Sequence, residues 1–326
     1  MFANGLRVGV ESEFAPLRSV VVAQSEFHAP ARAEILGHSM PVERDAVEIL
    51  EAVWGRDFGE VYPEKQKRFE AEREELAAVL RRHGVEVLRP RLFTDTEKEA
   101  AGETGYANFF VRDPWFTVGD HVIEGVLQFP HRRMEVLPSR DLLLEHVMPS
   151  DAHYVALMGP AVSPLGHPGP GPFLEGGDVL VLGKQVFVGL SGMATNEIGY
   201  RWLAKYLKPF GFTVTPVRLP EHVLHLDCAL SLVRDGLVIA CPDRLPDGLP
   251  ESLRGWDVIE VSEDEAAAMA TNGLPIDSNT YITDPEFARV GDQLATRGIT
   301  VEYIDFAVSR LFGGAFRCST QPLSRA

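Results

Sequence analysis

The sequence is short of cysteine, short of positive charge and without any long apolar run, and each shortage removes a class of protein. Its three cysteines, Cys228, Cys241 and Cys318, are too few and too widely spaced for a disulfide framework, and none stands in a Cys-x-x-Cys pair suited to zinc. Such a chain is expected in a reducing compartment, the cytoplasm. Lysine and arginine together number 31 against 47 aspartates and glutamates, a formal net charge of −16. The average field therefore repels nucleic acid and anionic membrane surfaces and attracts a small cationic ligand. No apolar stretch approaches the roughly 18 residues of a membrane span, and Met1 to Phe14 lacks the basic-then-apolar pattern of an export signal. What the chain does have is apolar material, 45% of its residues, enough for a substantial core.

The order of that material is repetitive. Leu17 to Gln24 reads as a buried strand, followed by a loop to about Val42, and Glu64 to His83 reads as a helix with Pro63 at its start and a solvated charged face. The helix ends at Gly84, and Val85-Glu86-Val87 resumes as a strand. The same ending returns at Gly211-Phe212-Thr213-Val214, Gly255-Trp256-Asp257-Val258 and Gly298-Ile299-Thr300-Val301, the last three spaced by roughly 43 residues. Between them lie hairpin signatures: Phe109 to Gly125 turning at Gly119-Asp120, Phe173 to Leu190 turning at Gly183-Lys184, and Leu224 to Cys241 turning at Asp235-Gly236. Met134 to Val147 and Asn196 to Leu207 read as helices. A last unit combines a strand over Ser278 to Ile282, a helix over Pro285 to Arg297 and a strand from Ile299. The unit is strand, strand, helix, strand, and five of them predict one closed, pseudo-symmetric α/β domain spanning residues 1–326. Pro160 to Pro172 is then a loop between units, either a lid or a plain surface crossing.

Three polar motifs fall at corresponding places, on the first strand of successive hairpins. Asn108-Phe109-Phe110-Val111-Arg112-Asp113-Pro114 puts Asp113 after apolar residues, where it either needs a partner, with Arg112 a candidate, or caps the turn before Pro114. In Phe173-Leu174-Glu175-Gly176-Gly177-Asp178 the glycine pair either makes a tight turn or lets a ligand approach beside Glu175. In His225-Leu226-Asp227-Cys228 the spacing of two places His225 and Asp227 on one face of a strand, an arrangement for acid–base work. The C-terminal stretch Gly313-Gly314-Ala315-Phe316-Arg317-Cys318-Ser319-Thr320 sets a cysteine behind two glycines and beside a cation. Alone, Cys318 reads as a small core residue or as an activated nucleophile. A cysteine, a histidine and three carboxylates together suit a guanidinium substrate. That group is always protonated and pairs with carboxylates through a planar fork, leaving its central carbon open to sulfur.

With these motifs in this order, the sequence resembles the guanidino-group-modifying superfamily of arginine deiminases, dimethylarginine hydrolases and amidinotransferases. The residues carrying the resemblance are Arg112-Asp113-Pro114, Glu175-Gly176-Gly177-Asp178, His225-Leu226-Asp227 and Gly313-Gly314-x-x-Arg317-Cys318-x-Thr320-x-Pro322-Leu323. The resemblance implies a pentein, a fivefold α/β propeller of ββαβ units. It implies Cys318 as nucleophile, His225 as general acid and base, and Asp113, Glu175 and Asp227 as guanidinium ligands. Arg132 stands where a substrate carboxylate would be held, and Asn108, Phe110 and Arg317 are further candidate substrate contacts. No metal and no organic cofactor is implied; the expected partner is a small guanidino compound, with homo-oligomerisation left open.

The implied reaction is two-step: a covalent amidino-thioether forms on Cys318, and then either water or an acceptor amine attacks it. Glu175 and the Arg317-Cys318-Ser319-Thr320-Gln321-Pro322-Leu323 run resemble the hydrolases. Tyr62-Pro63, Ile123-Glu124 and Thr195-Asn196-Glu197-Ile198-Gly199 resemble the transferases. Because the hydrolase-like residues stand at the reacting centre, the expected activity is hydrolysis of a guanidino compound, with amidino transfer the alternative. Free arginine is disfavoured as substrate, because Ser191-Gly192-Met193-Ala194-Thr195 has no second arginine. The competing classes are a non-catalytic binding protein on the same fold, which has no use for this set, and a Cys-His amide hydrolase, whose oxyanion the carboxylates would repel.

Overall fold

In the computed structural model, which describes residues 7–32, 44–162, 164 and 167–326, with 44–47 by backbone alone, glycine ends each of the four predicted helix-to-strand passages. Gly84, Gly211, Gly255 and Gly298 hold φ from 75° to 88°, a left-handed conformation that costs a residue with a Cβ about 1 kcal/mol or more. The strands Glu86–Leu88, Thr213–Arg218, Asp257–Glu260 and Thr300–Tyr303 follow them.

Each of these strands joins its sheet in parallel, beside an antiparallel pair. Trp115–Val118 and His121–Glu124 pair with His153–Ala156; Val179–Leu182 and Gln185–Leu190 with Thr213–Arg218; Leu230–Arg234 and Leu237–Ala240 with Asp257–Glu260. In the next sheet Leu274–Asp277 and Thr280–Thr283 pair with Thr300–Tyr303. The single strand expected over Ser278 to Ile282 is thus a hairpin, with Ser278 and Asn279 at its turn. A fifth sheet has the same design from distant pieces: Thr320–Arg325 lies antiparallel to Leu17–Val22, which lies parallel to Glu86–Leu88. The tail is therefore the first strand of the unit whose second strand lies some 300 residues earlier, a pairing with no local signal.

The helix of the unit varies. Pro63–Arg82, Glu197–Leu207 and Ala288–Thr296 are regular, and Asn196 caps the second by accepting from Gly199 N. The helix expected over Met134 to Val147 is instead a run of 3-10, α and π turns, and the fourth unit holds only the 3-10 turns Pro242–Arg244 and Glu251–Leu253 at this place. One hydrophobic cluster draws on four of the sheets through Val20, Phe187, Leu230 and Ile282, each worth roughly 1.5–3 kcal/mol when removed from water.

The charged face of Pro63–Arg82 is only partly solvated. Glu72 and Arg73 are buried: Glu72 accepts from Val308 N and Ser309 N at 2.7 and 3.0 Å, and Arg73 donates to Ser309 Oγ and Phe109 O at 2.6 and 3.2 Å. They fasten the helix to Ala307–Leu311, the segment that delivers Phe312 and Gly313 to the cavity described below. Of the loop expected to run to Val42, residues 33–42 lie outside the described ones, as do 163, 165 and 166 of the Pro160–Pro172 loop. Among the described residues no helix is long and apolar enough to cross a membrane.

Candidate active site

The motifs sit not on the first strands of the hairpins but in the turns just before them. Glu175 is extended and is followed by a 3-10 turn over Gly176–Asp178; His225 is extended and is followed by one over Leu226–Cys228; Asp113 and Cys318 lie in turns ahead of Trp115–Val118 and Thr320–Arg325. His225 and Asp227 consequently do not share a strand face. The turn sends His225 toward Glu175 and Asp113, and Asp227 toward Arg317 and Cys318.

His225 Nε2 lies 2.9 Å from Glu175 Oε2, and its Nδ1 lies 3.8 Å from Asp113 Oδ1. Burial alone would lower this imidazole, but Asp113 and Glu175 outweigh it and push it up to about 10, so it is an imidazolium at neutral pH. Asp178 is buried behind the pair, accepting from Leu226 N and Thr195 N at 3.0 and 3.1 Å; burial pushes its carboxyl up to about 7. It holds the turn that carries His225. Gly177 is required by close approach: a Cβ there would lie 2.6 Å from His225 Nδ1 and 2.8 Å from Asp113 Oδ1.

Asp113 finds its cation not in Arg112 but in Arg132, whose Nη2 is 2.8 Å from Asp113 Oδ2. Burial raises the Asp113 carboxyl, yet His225 and Arg132 together hold it below the usual range. The same guanidinium meets Glu135 through Nε and Nη2 at 2.8 and 2.9 Å and Glu175 through Nη1 at 3.5 Å. Glu135, not singled out in the sequence, is pushed up to about 7 chiefly by burial. Asp113, Glu175 and His225 offer ligand atoms within 4.8 Å of one another, the kind of set that can hold a metal ion, but Arg132 already pairs with both carboxylates.

Cys318 is 3% exposed, and its thiol faces Asp227 Oδ2 at 3.8 Å. Burial pushes the thiol well up, and Asp227 and Asp113 add to it, so the resting sulfur is protonated. Its turn hangs on Asn272, whose Oδ1 accepts from Cys318 N at 3.1 Å and Ala315 N at 3.0 Å. Asp227 is held in turn by Arg317 Nη1 at 2.9 Å, and Arg317 by Glu13 through two contacts of 3.1 and 3.2 Å. Arg112 donates to Arg317 O at 3.1 Å.

A cavity of about 60 Å³ gathers part of this set: Phe110, Asp113, Arg132, His225 and Cys318 line it, along with Glu135 and His131. Glu175 and Asp227 are not among its lining residues and act on it through His225, Arg132 and Cys318. Arg317 and Asn108 do not reach it either. Arg317 is locked between Glu13 and Asp227, and Asn108 donates to Arg91 O and Glu26 Oε2 at 2.9 and 3.2 Å. Gly314 packs under Phe110, where a Cβ would come within 2.5 Å of the ring. Three positions carry the site unannounced: Glu13, Asn272 and Glu135. The last stands three residues after Arg132, and that spacing was its only readable signal.

Repeated mixed sheets with a cysteine, a histidine and carboxylates in their leading turns are the marks of the guanidino-group-modifying superfamily, whose α/β fold is the pentein. Within it, the sequence model of the family described as N,N dimethylarginine dimethylhydrolase, eukaryotic, matches residues 52–325, and the chain belongs to that family. A putative inosamine-phosphate amidinotransferase 2 of Streptomyces griseus is 29% identical over 350 aligned positions, covering 98% of this chain and 97% of that one. An uncharacterized protein of Bacillus subtilis, YkgA, is 35% identical over 153 residues, 47% of this chain and 52% of its own length. The solved structure of inosamine-phosphate amidinotransferase from Streptomyces griseus matches with a TM-score of 0.77 at 24% identity, over 99% of this chain and 98% of that one. That of the dimethylarginine hydrolase of Pseudomonas aeruginosa, a cysteine-to-serine mutant with citrulline, matches with a TM-score of 0.65 at 17% identity over 94% and 99%.

Proposed function

We propose that the protein is a cysteine-dependent amidine hydrolase acting on arginine or another guanidino compound, with Cys318 as nucleophile and His225 as general acid and base. The observation that carries this is the meeting of Cys318, His225 and Asp113 on one cavity, with the imidazole held between two carboxylates. Asp113 is the direct guanidinium ligand, and Glu175 and Asp227 act from behind the cavity wall.

The resting thiol and imidazolium fix the order of events. A bound guanidinium adds positive charge beside Cys318, lowers the thiol's pKa and releases its proton to water. The thiolate attacks the guanidinium carbon, and His225 gives its Nδ1 or Nε2 proton to the departing amine, leaving an amidino-thioether on Cys318. The imidazole, now neutral, takes a proton from water. The hydroxide adds to the same carbon, the thiolate leaves, and a ureido product is released. The chemistry draws only on the chain's own side chains.

A second reading, amidino transfer to an amine acceptor, is favoured by the curated relatives that match over the full length, which are amidinotransferases. Against it stands the resemblance of the Glu175-Gly176-Gly177-Asp178 motif to the hydrolases, with Glu175 the carboxylate bonded to His225. We also read the five similar sheets as a single ring, a fivefold propeller in one domain over 1–326, working in a reducing compartment. The test is incubation with a panel of guanidino compounds, with and without amines, following ammonia and ureido product. Ureido product with water alone is expected; product only when an amine is present rejects the hydrolase.

A further inference from the structure

The hairpin ends remote from Asp113 and Glu175 hold a second cavity, of about 480 Å³, lined by the turns Gly119-Asp120 and Gly183-Lys184, by Arg7 and by Arg325. The N-terminal segment clamps both turns. Val10 N donates to Gly119 O at 2.8 Å, Gly119 N donates to Val10 O at 2.7 Å, and Gly183 N donates to Glu11 O at 2.7 Å. The rim is therefore fixed by the fold. Arg325 ends the strand Thr320–Arg325, roughly 17 Å along it from Thr320. The turn that carries Cys318 stands at the other end of that strand.

Two cations at this cavity have no carboxylate of their own. Arg325 is 1% exposed; its Nη1 and Nη2 donate to the carbonyls of Ala15 and Pro275 at 2.8 and 2.7 Å, and its Nε is buried without a partner. Glu13, its strongest acidic neighbour, gives both oxygens to Arg317. A cation removed from water without a counter-charge is costly to keep. Lys184 donates to Phe210 O at 3.3 Å and lies 3.9 Å over the Phe212 ring. The two carboxylates that line the cavity are engaged elsewhere: Glu11 faces Arg7 at 3.7 Å, and Asp120 faces His121 Nε2 at 3.3 Å. Residues 1–6 contain no aspartate or glutamate. In a chain of net charge −16, three cations against two carboxylates around one cavity run against the average.

We propose that this cavity binds a phosphate group, free or as the monoester of a small organic molecule, with Arg325 supplying the buried positive charge and Lys184 the movable donors. A phosphate near neutral pH carries roughly two negative charges, which matches the two uncompensated cations. The volume is many times the roughly 30 Å³ share of one water, so the organic part of an ester has room beside Val8 and Phe212, which also line the cavity.

The test is isothermal titration calorimetry of the full chain with inorganic phosphate and with glycerol 3-phosphate, at neutral pH and at an ionic strength held constant with potassium chloride. Saturable binding is expected, and the tighter of the two probes tells the free ion from the ester. Lys184→Met should weaken it by about tenfold or more, since a hydrogen bond to a charged group is worth at least that, while Lys184→Arg should retain it. Arg325→Met, checked by thermal unfolding, should abolish it. Lys184 is exposed, so its variants carry the test should Arg325→Met fail to fold. No saturable binding of either probe, or equal affinity in Lys184→Met and wild type, overturns the proposal.

Discussion

His225 Nε2 and Glu175 Oε2 are 2.9 Å apart, across 50 residues of sequence, and both side chains are buried. This contact and the one to Asp113 raise the imidazole from its ordinary 6.5 to about 10. The raised group stabilises the fold fully below about pH 6.5, and that contribution is lost as pH rises through about 10. Glu175→Gln removes one of the two charges, so the histidine is expected to titrate at lower pH and the alkaline loss of stability to begin earlier. NMR titration of the His225 ring and urea unfolding between pH 6 and 10 read both. An unchanged titration midpoint would separate Glu175 from the imidazole's charge.

Cys318 is held as a thiol by burial and by Asp227 and Asp113. Iodoacetamide should therefore modify it slowly at pH 7 and increasingly as pH rises above the ordinary thiol value of 9. A non-reacting guanidinium in the cavity would block access to the sulfur, so the reaction is read in the free protein. Asp227→Asn removes the negative charge 3.8 Å from the sulfur and is expected to lower the pH at which modification sets in. Intact mass against pH measures it; a profile identical to wild type contradicts the assigned role of Asp227.

Gly177→Ala tests whether the site is built on close approach. The added methyl group would lie 2.6 to 2.8 Å from His225 and Asp113, so the imidazole must move. Loss of general acid–base alignment typically costs ~10²–10⁴ in rate, and kcat should fall into that range while the melting temperature falls by only a few degrees. A variant with wild-type kcat would mean that His225 tolerates displacement.

These three tests concern residues visible in the sequence: Glu175, Gly177, His225 and Asp227 stand in short motifs before hairpins whose turns are marked by Gly or Asp, and Cys318 stands in the motif behind Gly313-Gly314. The hairpins and glycine stops were legible for the same reason: φ > 0 and two-residue turns are local demands on composition. What was not legible is set by long-range pairing. The strand at 320–325 meets Leu17–Val22, Glu13 meets Arg317 across 304 positions, and Asn272 receives Cys318 N across 46. Glu72 and Arg73 read as solvated for the same cause, since their partners at 308 and 309 lie far along the chain. The family resemblance placed Arg132 near the site but did not say which way it faced; its three carboxylate partners turned it inward.

Arg317 is the point where the unreadable part can be tested. The sequence sets it beside the nucleophile, as a candidate substrate contact, yet its guanidinium is buried, bonded to Glu13, Asp227 and Val179 O, and absent from the cavity wall. Burial lowers its pKa, but Glu13 and Asp227 outweigh that and hold it above its usual value. Arg317→Met leaves two buried carboxylates without their cation, which typically costs about 3–5 kcal/mol. Adding Glu13→Gln removes one of those stranded charges and should restore part of the loss. Urea unfolding of the single and double variants measures the coupling. If Arg317 instead bound substrate, Arg317→Met would raise KM with little change in unfolding, and Glu13→Gln would restore nothing.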